Sequence, residues 1–218
     1  MSNGWAVVWQ HRDEMLAGLA TTLWISALSA IVSLALGAAL SMALMSRKRL
    51  PARLAASFVD VMRCVPFLLF AYIVYYGLPA LGLTLSNWEA GLSALIVYNT
   101  GYMGELLAGA WRGLPAEAIE AGHAFGFSGF ALFRRIILPP VILAAAPMIG
   151  NQVIQIVKDS AFLTIIAVEE LTHAATSIQS TYYVPFASFL SAVLLYWVLC
   201  IGVEQMVGLT QSAAANRR

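Results

Sequence analysis

Polar side chains recur inside the apolar stretches of the chain, and they are the residues best suited to handle a polar solute. Asn151, Gln155 and Asp159 are spaced i, i+4 and i+8, so a helix would place them on one face with Gln152 beside them. Lipid does not tolerate such a stripe, which must therefore face another helix or water. The stripe could line a passage for a solute or could hydrogen-bond between helices, and the sequence leaves both interpretations open.

A second polar face lies earlier in the chain. Glu105 is an ionisable residue within an apolar run, which makes it a functional candidate by default. Tyr98, Tyr102 and Glu105 share one helical face, and Asn99 lies beside it. For each of these residues taken singly, interhelical bonding is the competing explanation.

These polar groups need membrane helices to position them. The chain of 218 residues is 61% hydrophobic and only 11% charged, whereas a soluble domain carries about twice that charged fraction. Apolar runs of about 20 residues recur, the length that crosses a bilayer as a helix. The runs are continuous rather than alternating, so we predict an all-α polytopic membrane protein. A net charge of +1 gives no reason to expect a nucleic-acid partner.

We predict one transmembrane domain over residues 1–218, with five spans. The predicted spans are residues 15–45, 64–81, 90–111, 136–157 and 185–203. The first span carries small residues suited to close helix packing, namely Thr21, Thr22, Ser26, Ser29, Ser33, Gly37 and Ser41.

The basic residues alternate between the connections and so predict the orientation. They are Arg47, Lys48, Arg49 and Arg53 after the first span, Arg112, Arg134 and Arg135 after the third, and Arg217 and Arg218 after the fifth. Connections 79–89 and 168–184 contain no Lys or Arg. Basic loops stay in the cytoplasm, which places the N-terminus outside and the C-terminus inside. Only Arg12 departs from this alternation.

The sequence gives no support for nucleotide hydrolysis, catalysis or metal binding by this chain. The chain has no Gly-x4-Gly-Lys phosphate loop, so we expect no nucleotide hydrolysis by that route. Cys64 and Cys200 lie in different apolar runs, and we interpret them as small buried side chains rather than as a disulfide or metal ligands. We predict no catalytic residues and no metal site. The N-terminus lacks a basic region followed by a short apolar core, so no cleaved signal peptide is expected.

The connection over residues 112–135 is patterned as a helix. Pro115 suits the first turn of this helix. Glu117 and Glu120 lie near its N-terminus, where the positive end of the helix dipole stabilises carboxylates. Gly122 and Gly126 leave a bare patch at i and i+4 that a partner could approach, and Gly126 and Gly129 predict the end of the helix and a turn. An amphipathic helix lying on lipid is the alternative.

This connection resembles the EAA loop of ABC importer permeases. The match is Glu120-Ala121-Gly122, three residues, Gly126, nine residues, and then Ile136-x-Leu138-Pro139. Residues 20–44, 62–83 and 150–175 resemble the polar amino-acid permeases of the histidine, glutamine, arginine and opine type, and the similarity extends from about residue 18 to 208. Two departures are Gly122, where alanine is usual, and the stretch at residues 63–66, Arg-Cys-Val-Pro in place of Arg-Gly-Thr-Pro.

The resemblance implies a five-span, type I ABC importer permease fold in a bacterial inner membrane. It implies a cytoplasmic ABC ATPase dimer that carries ATP and Mg²⁺, a second permease subunit (identical or related), and an extracytoplasmic solute-binding protein. This chain would then bind no cofactor and be no enzyme. Glu120, Ala121, Gly122 and Gly126 would couple it to the ATPase. Asn99, Glu105, Asn151, Gln155 and Asp159 would line the pathway for a polar amino acid or related amine.

Two alternative functions would use the polar residues differently. A secondary transporter or channel could use Glu105 and Asp159 as proton-linked groups, but it predicts an internal inverted repeat that five spans with one special loop do not provide. A membrane scaffold without a passage would leave the stripe to interhelical bonding only.

Overall fold

The computed structural model describes residues 2–215, with side chains described for residues 4–208, and every regular element in that part is helical. The predicted all-α class is confirmed. Arg217 and Arg218, used above for orientation, lie outside the described residues. The helices are α1 (Ser2–Gln10), α2 (Arg12–Leu44), α3 (Arg49–Cys64), α4 (Phe67–Tyr72), α5 (Asn87–Arg112), α6 (Ala116–Ala124), α7 (Gly129–Leu132), α8 (Leu138–Ser160), α9 (Leu171–Tyr182) and α10 (Pro185–Ala215).

Three helical stretches of the described chain are long and apolar enough to cross a membrane: Arg12–Leu44, Gly129–Ile166 and Pro185–Gly208. A fourth arises if α3 and the stretch Phe67–Leu81, which meet at 106°, form one broken span. Predicted spans 136–157 and 185–203 fall within the second and third of these stretches, and predicted span 15–45 lies within the first except for its last residue, Met45. The 26-residue helix α5 matches predicted span 90–111 but is not among these apolar stretches, so the count of five stays a prediction.

Helix α3 corrects our interpretation of residues 46–63 as a basic connection. Ala55, Val59 and Met62 form its single buried face. The helix ends because Val65 has an extended backbone and Pro66 cannot continue it. Cys64, which we expected to be buried, is exposed at this end.

Small residues let α2 and α5 approach closely. Of the small side chains predicted on span 1, these are buried: Thr22, Ser26, Ser29, Ser33, Gly37 and Ser41. A Cβ on Gly37 would lie 2.6 Å from Cβ of Met103, and one on Gly104 would lie 2.6 Å from a Leu40 methyl carbon. The predicted use of small residues for close packing is thus confirmed for this helix pair.

The polar helix α8 is bounded by irregular turns. A π-helical turn over Phe133–Ile137 precedes the prolines Pro139 and Pro140, whose missing N–H groups loosen the helical ladder. After Ser160 the chain continues as a 3₁₀ helix over Ala161–Ile166. The apolar run that follows the polar stripe is therefore a direct extension of α8.

Two further helices were not predicted. Helix α1 packs on the start of α10, where the rings of Trp5 and Phe186 lie 6.4 Å apart. Helix α9 occupies much of connection 168–184, and the side chain of Glu170 caps its first backbone N–H groups. The hydroxyl of Thr22 on α2 accepts a bond of 3.1 Å from the backbone N–H of Leu171, which ties α9 to α2.

Candidate functional site

A cavity of about 560 Å³ opens between the start of α4, the middle of α5 and the end of α8. One side is polar and the other is mainly aromatic. The lining residues are Pro66, Phe67, Leu68, Tyr98, Tyr102, Gln152, Gln155, Asp159 and Phe162. Its size is in the range of pockets that enclose small ligands. This is the cavity that brings the polar stripe of α8 opposite the tyrosine face of α5.

Asp159 supplies the negative charge of the cavity. Only 4% of the residue is accessible. The side-chain N–H of Gln155, one turn back on α8, donates a hydrogen bond of 2.8 Å to Asp159 Oδ1. A buried carboxylate is costly unless it is paired and hydrogen-bonded. The arrangement therefore favours a cationic or hydrogen-donating group as a partner for Asp159.

Aromatic rings form the opposite wall. The Tyr98 ring lies 5.3 Å from the Tyr102 ring and 5.2 Å from the Phe67 ring, measured between centroids. The Tyr98 hydroxyl donates to the carbonyl of Val65 at 3.1 Å, which holds the break before α4 against α5. Phe162 lies 6.5 Å from Phe67 and closes the wall from the α8 side. Faces of this kind attract a cation that approaches within about 6 Å of the ring centroid.

Asn99 positions Gln152. It is fully buried, and its Nδ2 group donates to the carbonyl of Leu95 at 2.9 Å. Gln152 Nε2 donates in turn to Asn99 Oδ1 at 2.7 Å, across the contact between α5 and α8. This bond fixes the register of the two helices and the direction of the Gln152 amide at the edge of the cavity.

The predicted coupling segment forms helix α6 followed by a tight turn. Glu120 and Ala121 are exposed, whereas Gly122 is buried against Leu132 and Ile136 of the same chain, with Leu132 Cδ1 only 2.7 Å from its ideal Cβ position. Gly126 has φ +83° and open space around it.

The turn at Gly126 satisfies the end of α6. The backbone N–H of Phe127 bonds the Gly122 carbonyl at 3.0 Å, and that of Gly126 bonds the His123 carbonyl at 2.9 Å. These bonds close α6 in the manner of a left-handed cap. The predicted helix end is therefore found. We predicted that Gly122 and Gly126 both leave a surface that a partner could approach. This is wrong for Gly122, because Leu132 of the same chain covers it.

Comparison with known proteins identifies the family. Residues 31–213 match the model of the binding-protein-dependent transport system inner membrane component. The chain belongs to this family. It is the permease subunit of an ABC importer and a multi-pass inner-membrane protein, a transport component rather than an enzyme.

Relatives and solved structures agree with this assignment. The permease is 29% identical over 208 residues to the nopaline transport system permease protein NocM of Agrobacterium fabrum, covering 91% of this chain and 86% of NocM. It is 31% identical over 225 residues to the octopine transport system permease protein OccM of Rhizobium radiobacter, covering 95% and 89%. A solved amino acid ABC transporter with histidines matches with TM-score 0.85 and 25% identity over 94% of this chain and 96% of that one. The MetNI methionine ABC transporter matches with TM-score 0.68 and 17% identity over 93% and 96%, which supports the fold alone.

The structure separates the predicted pathway residues into groups. Gln155 and Asp159 line the permease cavity, and Asn99 touches it only through Gln152. Asn151 is exposed and does not line it. Glu105 lies outside the cavity, where its Oε1 accepts a bond of 3.0 Å from Arg112 Nη1, two turns further along α5. The roles predicted for Asn151 and Glu105 are therefore not supported by proximity to Asp159.

The residues of the permease cavity that follow breaks in the helices were not predicted from the sequence. Pro66, Phe67 and Leu68 follow the break between α3 and α4, and Phe162 lies in the 3₁₀ extension of α8. Such positions show no periodic pattern. Pro66 was the one available signal, since it marks where the chain turns back toward α5.

Proposed function

We propose that the permease binds a polar amino acid or related amine in the cavity at Asp159 and passes it across the membrane. The observation that carries this proposal is the almost wholly buried Asp159 carboxylate facing aromatic rings. Relatives described as nopaline, octopine and glutamine permeases support a substrate that contains an amino-acid group.

The chemistry of the cavity favours the amino group of the substrate. Among described side chains, the Gln155 amide is the donor that bonds Asp159. A substrate ammonium would supply the charge partner that a buried carboxylate needs, while the faces of Tyr98 and Tyr102 would add cation–π attraction. The Gln152 amide also lines the cavity and would form hydrogen bonds with the other polar groups of the substrate.

Uptake measurements test the class of substrate. Proteoliposomes containing the permease, its ATPase and its solute-binding protein would be given radiolabelled amino acids, opines and matched analogues in which the amino group is replaced by hydroxyl. We expect ATP-dependent uptake of at least one amine and loss of uptake for its hydroxyl analogue. Equal uptake of both would contradict the role of the ammonium group, and uptake driven by a proton gradient without ATP would favour a secondary transporter.

The α6 segment would dock on the cytoplasmic ABC ATPase dimer. Its outward side presents the Glu120 carboxylate and Ala121, followed by the 83% exposed ring of Phe125. Its inward side is anchored through Gly122 on Leu132. A carboxylate beside an exposed ring would suit a basic, partly apolar cleft, in which charged hydrogen bonds are strong.

Co-purification tests the docking surface. Glu120→Lys should greatly reduce recovery of the ATPase with the permease, because it reverses the charge presented to the cleft. Asp13→Lys, an equally drastic change at an exposed residue at the start of α2, should not. Normal recovery and normal ATP-dependent uptake in Glu120→Lys would contradict docking through α6.

We also propose an assembly and an orientation for the permease. A second permease subunit would complete the pathway, ATP and Mg²⁺ would be held by the ATPase, and a solute-binding protein would deliver substrate from outside. The N-terminus would face outward and the C-terminus the cytoplasm. Because Cys64 is exposed, a thiol label at position 47 should be introduced as Arg47→Cys in a Cys64→Ser background. It should react only from the cytoplasm, and labelling from outside would invert the orientation.

A further inference from the structure

A second cavity of about 460 Å³ opens on the outer surface of the helix bundle, between α1, the first turns of α2 and α10. We refer to it as the α1–α10 groove. Trp5 and Trp9 of α1, Leu16 of α2, and Leu194 and Leu195 of α10 form most of its walls. It shares no lining residue with the cavity at Asp159.

Helix α1 is anchored on the bundle at more than one place, since Val7 and Val8 pack against its core in addition to the contacts at its first turn. The ring of Trp5 meets that of Phe186 edge-on, and Gly4 lies so close to α10 that an added Cβ would be 3.2 Å from Cβ of Ala187. The helix then breaks at His11, and α2 starts one residue later. The groove lies beside these contacts, between α1, α2 and α10.

The walls of the groove belong to helices that cross the membrane. Helices α2 and α10 both contain a membrane-spanning stretch. Trp9 is 70% exposed, Leu16 is 52% exposed and Leu194 is 46% exposed. Tryptophan is enriched where a membrane meets water, so α1 fits the headgroup level and the leucines fit the level of the acyl chains.

Arg12 is the one cationic residue among the described residues that line the α1–α10 groove. The guanidinium of Arg12 lies over the Trp9 ring at 5.4 Å, and its Nη1 donates to the Trp9 carbonyl at 3.2 Å. Its charged neighbour is Asp13, with an N–O distance of 3.8 Å and an 86% exposed side chain. Such an exposed pair contributes little, and an arginine has five N–H donors. The guanidinium can therefore bind an additional anion above an apolar groove.

We propose that the α1–α10 groove binds an anionic phospholipid. One acyl chain lies against Leu16 and Leu194, and the headgroup phosphate accepts hydrogen bonds from Arg12. Arginine binds phosphate oxygens with paired N–H groups.

Photocrosslinking tests this site locally. The purified permease complex would be placed in phosphatidylcholine nanodiscs doped with phosphatidylglycerol or phosphatidylcholine bearing a diazirine in the acyl chain, and adducts would be mapped by mass spectrometry. We expect adducts of the phosphatidylglycerol probe on residues 5–16 and 191–195. Arg12→Gln should reduce them about tenfold, the loss for one hydrogen bond to a charged group. Arg47→Gln, at an exposed arginine outside the groove, should leave them unchanged.

A second variant separates headgroup from chain. Leu194→Trp fills the groove and should reduce these adducts while the complex keeps its subunit composition. Equal labelling by both lipid probes, or labelling unaffected by Arg12→Gln, would overturn the proposal. Crosslinks from residues 5–16 to another protein chain in place of lipid would also overturn it, since they would assign the groove to a protein contact.

Discussion

The side-chain amide of Gln155 donates a hydrogen bond of 2.8 Å to the carboxylate of Asp159, one turn away on α8. The bond fixes the carboxylate at the edge of a cavity whose far wall is aromatic. The i, i+4 spacing of the two residues thus allows a hydrogen bond within a single helix. The part of the Asp159 carboxylate that Gln155 does not bond remains available to the cavity. Gln155 therefore positions the charge that we propose to bind substrate.

Gln155→Leu should raise the KM for uptake by about tenfold with little change in kcat, because it releases the carboxylate from one hydrogen bond to a charged group. Initial rates in proteoliposomes measure this. Gln205→Leu, the same change at an exposed position on α10, serves as the control. An unchanged KM in Gln155→Leu would show that the bond does not position Asp159 for substrate.

Substitutions at Gly126 distinguish two reasons for a glycine at this position, namely its left-handed backbone conformation and its lack of a side chain. Its φ of +83° is unfavourable for alanine by roughly 1–2 kcal/mol, whereas asparagine visits this region more readily. We expect ATP-dependent uptake to fall more in Gly126→Ala than in Gly126→Asn, with normal membrane insertion in both. The reverse order would mean that side-chain size matters at this position, as it would if a partner packed against the glycine.

A matched pair of glycines tests helix packing. A Cβ at Gly37 would lie 2.6 Å from Cβ of Met103, so Gly37→Ala should lower the melting temperature by overpacking, at a cost of about 1–3 kcal/mol. Gly109 has nothing within 4 Å of its Cβ position. Gly109→Ala should raise the melting temperature, because alanine favours the helix by about 1 kcal/mol. Thermal unfolding in detergent compares the two, and a shift of the same sign in both would contradict the packing described for α2 and α5.

The buried Glu170 predicts a pH dependence of stability. It accepts hydrogen bonds from the Tyr196 hydroxyl at 2.6 Å and from the backbone N–H groups of Thr172 and His173 at 2.8 Å. Burial nevertheless raises the pKa of this carboxyl above its ordinary value of 4.5. Its contribution to stability is then fully present below the unfolded pKa and is lost as pH rises through the folded pKa.

The melting temperature of the wild-type permease relative to Glu170→Gln should therefore fall as pH rises from about 4.5. Glutamine keeps an acceptor for the backbone N–H groups but does not titrate, so the difference isolates the proton. A difference that increases with pH would indicate a lowered pKa, in which case the three hydrogen bonds would outweigh burial.

Features set by local sequence were predictable. The buried small residues of α2 follow from their helical spacing, and the end of α6 follows from Gly126, because a left-handed cap is specified by the residue that adopts it. The placement of Gln155 beside Asp159 follows from the i, i+4 spacing on α8 in the same way.

Features set by the path of the chain between helices were not predictable. Phe67 and Phe162 meet because one follows a break at Pro66 and the other lies in a 3₁₀ extension. No periodicity brings these two segments together. The position of Glu105, by contrast, could have been predicted. It lies seven residues before Arg112 on the same helix, and the two form an ion pair away from the cavity.

The most direct test is equilibrium binding of the radiolabelled amine accepted in uptake to the permease complex purified without its solute-binding protein. Asp159→Asn should weaken binding by about thirtyfold or more, because the removal of one partner from a buried charge pair costs roughly 2 kcal/mol or more. Asp60→Asn, the same change at an exposed position on α3, should bind as the wild type does. Wild-type affinity in Asp159→Asn would contradict the assignment of this cavity as the substrate site.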